Sequence, residues 1–124
     1  MKKRILVVDD NASDSQLLKR YLEETDKFVV REENDPRAAL STAEEFGPQL
    51  ILLDVLMPEM DGGELAASFK AHPKLKMVPI VFLTAKLTKE EVANCGGRIG
   101  GYPFLAKPIV LHEVAACLRQ QLAE

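Results

Sequence analysis

The sequence predicts an α/β fold in which five short strands alternate with five helices and the strands lie parallel in one sheet. Three observations predict it. Short apolar runs recur along the 124 residues, longer stretches with apolar residues at helical spacing separate them, and turn residues punctuate the joins.

The elements follow in order. Ile5-Leu6-Val7-Val8 is an unbroken apolar run, which suits a strand covered on both faces. Leu17, Leu18, Tyr21 and Leu22 then mark one apolar helix face. Phe28-Val29-Val30 is a shorter strand with polar neighbours, as an edge strand would be. Asp35-Pro36 offers a cap and a first-turn proline to a second helix through Ala39, Leu40, Ala43 and Phe46, and Gly47-Pro48 stops it. Leu50-Ile51-Leu52-Leu53 is a second fully apolar strand, followed by a helix carrying Leu65, Ala66 and Phe69. Ile80-Val81-Phe82-Leu83 is the third such run. A short helix with Val92 and Cys95 follows, opened by Thr88 and Glu91 at capping-box spacing. Phe104-Leu105-Ala106, with Pro103 at its start, reads as a second edge strand, and Leu111, Val114, Ala115, Leu118 and Leu122 define the last helix. Right-handed crossovers between parallel strands, with the two short strands outermost, give a doubly wound, flavodoxin-like (βα)5 sheet in the order 2-1-3-4-5. The glycine-dense stretch from Gly96 to Gly101 lacks a Walker lysine and does not lead from a strand into a helix. It reads as a mobile connection.

Length and composition fit one domain over residues 1–124. With 47% hydrophobic and 28% charged residues, the chain has enough apolar material for a core and is neither disordered nor fibrous in type. No apolar run approaches the roughly 20 residues that span a bilayer, so no membrane association and a cytoplasmic location are expected. A net charge of −3 gives no electrostatic reason for direct nucleic-acid binding and suits a protein partner. Cys95 and Cys117 have no zinc or redox spacing and read as reduced packing residues.

The polar residues that carry chemistry fall where the strands end. Asp9 and Asp10 follow the first apolar run, Asp54 the third strand, Thr84 the fourth and Lys107 the fifth. In an open parallel sheet these ends share one crevice. Three carboxylates gathered there repel one another unless a cation sits among them, and Mg2+ takes oxygen ligands beside a phosphate. Lys107 then neutralises phosphoryl oxygens as a point charge, and the Thr84 hydroxyl donates to another. An aspartate can attack phosphorus to form an acyl phosphate, and Asp54, at the end of a central strand, is the expected nucleophile. Taken singly, Asp9 and Asp10 could cap the first helix, Lys107 could be a solvated charge, and Met57-Pro58 with Asp61-Gly62 could be turn chemistry. Their coincidence at four strand ends favours the site. His72 and His112 read as loop and surface residues.

These residues resemble the receiver domain of two-component response regulators, and the single-domain chemotaxis-type regulators among them. The resemblance runs along the whole chain. It is carried by Val7-Val8-Asp9-Asp10-Asn11, the segment Leu52 to Gly62 (LLDVLMPEMDG), Thr84-Ala85 and Lys107-Pro108. It implies that Asp54 takes phosphate from a sensor histidine kinase or phosphotransfer protein. It also implies that Asp10 and Asp54 bind Mg2+ directly, Asp9 mainly through water and Leu56 through its backbone carbonyl. Thr84 would follow the phosphoryl group inward, and the Lys107-Pro108 bond could be cis. By the same resemblance a downstream protein target reads the switched surface through Thr84 and an aromatic residue three positions before the lysine. That residue is Phe104, where the family more often has tyrosine. Tyr102, two residues earlier, points to the same strand face. Leu56 and Lys86 fall where the family tunes access of hydrolytic water.

Other classes are weaker. Aspartate-nucleophile phosphatases carry a second acid two residues on, and Asp54-Val55-Leu56 lacks it. A flavin-binding module needs a hydroxyl-rich phosphate loop where Asp9-Asp10 stands. A non-phosphorylated binding module with this fold would not need the full acid, threonine and lysine set. Oligomeric state is left open; of a stand-alone receiver and one cut from a longer chain, a stand-alone regulator working by protein contact is the expectation.

Overall fold

A computed structural model describes residues 2–57, 60–84, 98–99, 102–107 and 109–122, with only the backbone of 56, 57, 60–62, 98 and 99. The strands are β1 (Lys3–Val8), β2 (Phe28–Glu33), β3 (Leu50–Asp54), β4 (Leu56–Met57), β5 (Met60–Asp61), β6 (Ile80–Thr84), β7 (Arg98–Ile99) and β8 (Tyr102–Ala106). The helices are α1 (Ala12–Glu24), α2 (Ala39–Phe46), α3 (Gly62–Ala71) and α4 (Leu111–Gln121). The main sheet runs β2-β1-β3-β6-β8-β7. Its first five strands are parallel and give the expected 2-1-3-4-5 order.

Alternation along the strands divides the core into two layers. Leu6, Val8, Ile51, Leu53, Ile80 and Phe82 face α2 and α3, where Ala39, Ala43, Leu65, Ala66 and Phe69 meet them. Ile5, Val7, Leu50, Leu52, Val81 and Leu83 face Leu18 and Leu22 of α1 and Val114 and Leu118 of α4. All five residues of β3 and of β6 are buried, which is why both read as unbroken apolar runs with no polar alternate.

Several expectations are corrected. Leu17, placed on the buried face of α1, is 47% exposed, because the stripe follows Leu18 and Leu22. β2 extends to Glu33, and its polar half is tolerated because β2 pairs only with β1 among the described residues. The strand holding Phe104 is not an edge along its whole length: Tyr102 and Pro103 pair antiparallel with Ile99 and Arg98. Part of the glycine-dense connection is therefore a short strand. Around residues 57–62 the backbone of β4 and β5 pairs as a two-stranded antiparallel ladder that leads directly into α3. The helix expected around Val92 and Cys95 lies outside the described residues, as do Lys86 and Pro108.

The punctuation works as read. Asp35 accepts from the Arg37 N–H and opens a 3₁₀ turn at Pro36–Ala38 that runs into α2. Gly47 ends α2 at φ +66°, the left-handed conformation that glycine adopts without steric cost.

Candidate functional site

Strand register brings the chemistry together. Val8 stands beside Leu53, Asp54 beside Leu83, and Thr84 beside Ala106, so Asp9, Asp54, Thr84 and Lys107 all fall at one edge of the sheet. The Lys107 N–H donates to the Thr84 carbonyl at 2.7 Å, and the Val55 N–H donates to the Leu83 carbonyl at 2.9 Å. These bonds fix the first residue beyond β8 and beyond β3 against β6.

Asp9, Asp54 and Thr84 are buried, while Asp10 is exposed. Carboxylate oxygens of Asp9, Asp10 and Asp54 all lie within 4.8 Å of one another. Such a cluster of carboxylate oxygens would suit a hard divalent cation, which takes oxygen ligands. The donor set, hard oxygens alone, suits Mg2+ rather than a soft transition metal.

Lys107 reaches into this acid group. Its Nζ is 2.8 Å from Asp9 Oδ2, 3.1 Å from Asp14 Oδ2 and 3.6 Å from Asp54 Oδ2, with its side chain 13% exposed. Burial on its own lowers the ammonium pKa. Hydrogen bonds and charge from Asp9, the hydrogen bond to Asp14 and the charge of Asp54 outweigh that and hold it above the ordinary lysine value.

The capping reading of Asp9 and Asp10 does not survive. Asn11 is the N-cap of α1, its side chain accepting from the Asp14 N–H at 3.2 Å. Asp9 Oδ1 instead accepts from the Asn11 N–H at 2.9 Å, which leaves Oδ2 for Lys107. Two supporting residues escaped the sequence reading. Asn34, just past β2, donates to the Asp9 carbonyl at 2.7 Å and to Ser15 Oγ at 2.9 Å, bracing the loop that carries the acids. Asp14 is the third carboxylate on Lys107. Its sequence position, in the first turn of α1, is that of an ordinary helix-start acid.

Phe104 and Tyr102 both pack against the α2/α3 side of the sheet, as their spacing implied. The Tyr102 ring meets Phe82 edge-on at 5.2 Å and 72°, and Lys70 Nζ lies 5.8 Å from its centroid. The backbone of Leu56 lies in β4, two residues past Asp54. His72 is half-enclosed and pairs with Glu44 at 2.9 Å, away from the acids, and His112 is exposed. Cys117 is partly buried, and burial raises its thiol pKa. No described helix is long and apolar enough to cross a membrane.

A family model described as the response regulator receiver domain matches residues 5–119. The transcriptional regulatory protein SrrA of Staphylococcus aureus is 37% identical over 115 residues, which cover 92% of this chain and 45% of that protein. The chain thus spans less than half the length of the curated relatives it matches. Among solved structures, the chemotaxis protein CheY4 of Vibrio cholerae superposes with a TM-score of 0.84 at 27% identity, covering 98% of this chain and 100% of its own. A putative response regulator from Chloroflexus aurantiacus superposes at 0.85 with 28% identity, each chain fully covered.

Proposed function

Because the chain belongs to the response regulator receiver domain family of two-component systems, we propose that it accepts a phosphoryl group on Asp54 and signals through the surface around Thr84 and Phe104. The observation that carries this reading is the position of Asp54. It is buried at the end of a central strand, with two further carboxylates inside 4.8 Å and the Lys107 ammonium at 3.6 Å.

In the proposed step a carboxylate oxygen of Asp54 attacks phosphorus. The bond from phosphorus to the donor atom breaks, and the leaving group departs with its electron pair, giving an acyl phosphate. There is no net redox change and no other covalent chemistry, so the work is positioning and charge neutralisation. Lys107 supplies a fixed positive charge and N–H donors to phosphoryl oxygens, and the Thr84 hydroxyl supplies another donor. Asp9, Asp10, Asp54 and the Leu56 carbonyl would hold Mg2+, whose chemistry here is to offset charge on the phosphoryl oxygens as they approach three carboxylates. Hydrolysis by water at phosphorus regenerates Asp54, so the domain catalyses only its own phosphorylation and dephosphorylation.

The donor in this reading is a sensor histidine kinase or phosphotransfer protein in the cytoplasm, and the listener is a protein target. Residues 1–124 act as the receiver module. Reduction with borohydride converts an aspartyl phosphate to homoserine, so peptide mapping after phosphorylation locates the acceptor. Homoserine at position 54 supports the assignment; homoserine at 9 or 10 refutes it.

A further inference from the structure

Asp14 has no part in the phosphoryl-acceptor chemistry, yet its carboxylate lies 3.1 Å from the Lys107 ammonium. Its place is built in. The Asn11 cap that starts α1 receives the Asp14 N–H at 3.2 Å, so the bond that begins the helix also sets where this carboxylate stands. Lys107 has three N–H donors. Two directions are taken by Asp9 at 2.8 Å and Asp14 at 3.1 Å, and Asp54 lies further off at 3.6 Å.

We propose that Asp14 is a positioning residue that competes with a phosphoryl group on Asp54 for the Lys107 ammonium. This deepens the assignment of Asp54 as acceptor and rests on it. Asp9 is fully enclosed and its other oxygen is already committed to the Asn11 N–H, so it holds Lys107 as part of the site's frame. Asp14 is different, being 34% exposed at the side chain and free of that enclosure. Its hold on the lysine is the one that can be released without stranding a buried charge. A phosphoryl group brings about two negative charges to Asp54 and draws the ammonium toward it. Asp14 opposes that movement, and its own charge repels an anionic donor approaching the crevice. Both effects have the same sign: Asp14 slows phosphorylation and weakens the hold of Lys107 on the phosphorylated state.

The test compares the parent with Asp14→Asn and Asp14→Glu, using acetyl phosphate with magnesium and intact mass to read labelling rate and acyl phosphate lifetime. Asparagine keeps the shape and removes the charge. The expected result is a labelling rate raised about two- to fivefold and a longer lifetime in Asp14→Asn, the size typical of a partly exposed ion pair. Asp14→Glu restores parental behaviour, and the gain shrinks in high salt as the charges are screened. A rate at or below the parent's in Asp14→Asn overturns the proposal, as does an Asp14→Glu variant that behaves like Asp14→Asn.

A double-mutant cycle on urea unfolding with Asp14→Asn, Lys107→Met and the pair reads the contact without any phosphorylation. The effect of Asp14→Asn should fall by at least half when Lys107 is Met. Additive effects overturn the pairing itself. A coupled cycle together with a parent that takes no label strikes down the Asp54 assignment instead, and the competition with it.

Discussion

The backbone N–H of Lys107 donates to the carbonyl of Thr84 at 2.7 Å, so the last residue of β6 and the first beyond β8 share one bond. The lysine that reaches the acids is thereby held in register with Thr84, the hydroxyl proposed to meet the same phosphoryl group. A shift of either strand end moves both.

The enclosed Asp9 carboxylate depends on Lys107 for its counter-charge. Lys107→Met in metal-free buffer should lower stability by about 3 kcal/mol, because deleting one partner leaves a buried charge uncompensated. Replacing Asp9 by Asn in the same chain should recover part of the loss. Urea midpoints of the single and double variants measure it.

The pH dependence of that contribution has a definite sign. Burial lowers the Lys107 pKa, but Asp9, Asp14 and Asp54 raise it more, so the folded value lies above the unfolded one. Stability from the pair is fully present below the unfolded lysine pKa of about 10.4 and is lost as pH rises through the folded value. Urea midpoints taken from pH 8 to 12 should therefore fall at the alkaline end in the parent, with a shallower fall in Lys107→Met. Parallel curves would remove Lys107 as the cause.

At Gly47 the expected cost is conformational. Among the described residues a Cβ added there meets Arg4 Nε and Nη2, at 3.9 Å, which is ordinary contact, but φ is +66°. Gly47→Ala should destabilise by about 1 kcal/mol through backbone strain alone. Thermal unfolding of this one variant is the check, and a loss several times larger would point to a clash at Arg4.

Tyr102 and Phe104 share a face, but only Tyr102 has its ring edge-on against Phe82. Tyr102→Leu should cost about 1 kcal/mol beyond lost area, the worth of an aromatic pair. If Phe104 alone serves as the switch aromatic, labelling of Tyr102→Leu by acetyl phosphate proceeds at the parent's rate while Phe104→Ala alters it.

The sheet was legible because β1, β3 and β6 are buried on both faces. Short continuous apolar runs such as Leu50 to Leu53, bounded by turn residues, suit strands covered on both faces. The convergence of Asp9, Asp54, Thr84 and Lys107 was legible because strand ends in a parallel sheet share an edge, so these residues needed only their positions after apolar runs. Less was legible where pairing or reach decides. β2 continues through Arg31, Glu32 and Glu33 because β1 supplies backbone partners, which side-chain polarity does not report. The β7 pairing rests on two residues, too few for a period to show. Asp14 and Asn34 act by reaching across to Lys107 and the Asp9 carbonyl, and nothing local in sequence distinguishes them from a helix-start acid and a loop amide.

The most direct measurement is intact mass after incubation with acetyl phosphate and magnesium, comparing the parent with Asp54→Ala and with a metal-free control. The expected result is a gain of one phosphoryl group that needs both Asp54 and magnesium. A folded parent that gains no mass, or a gain that persists in Asp54→Ala, contradicts it.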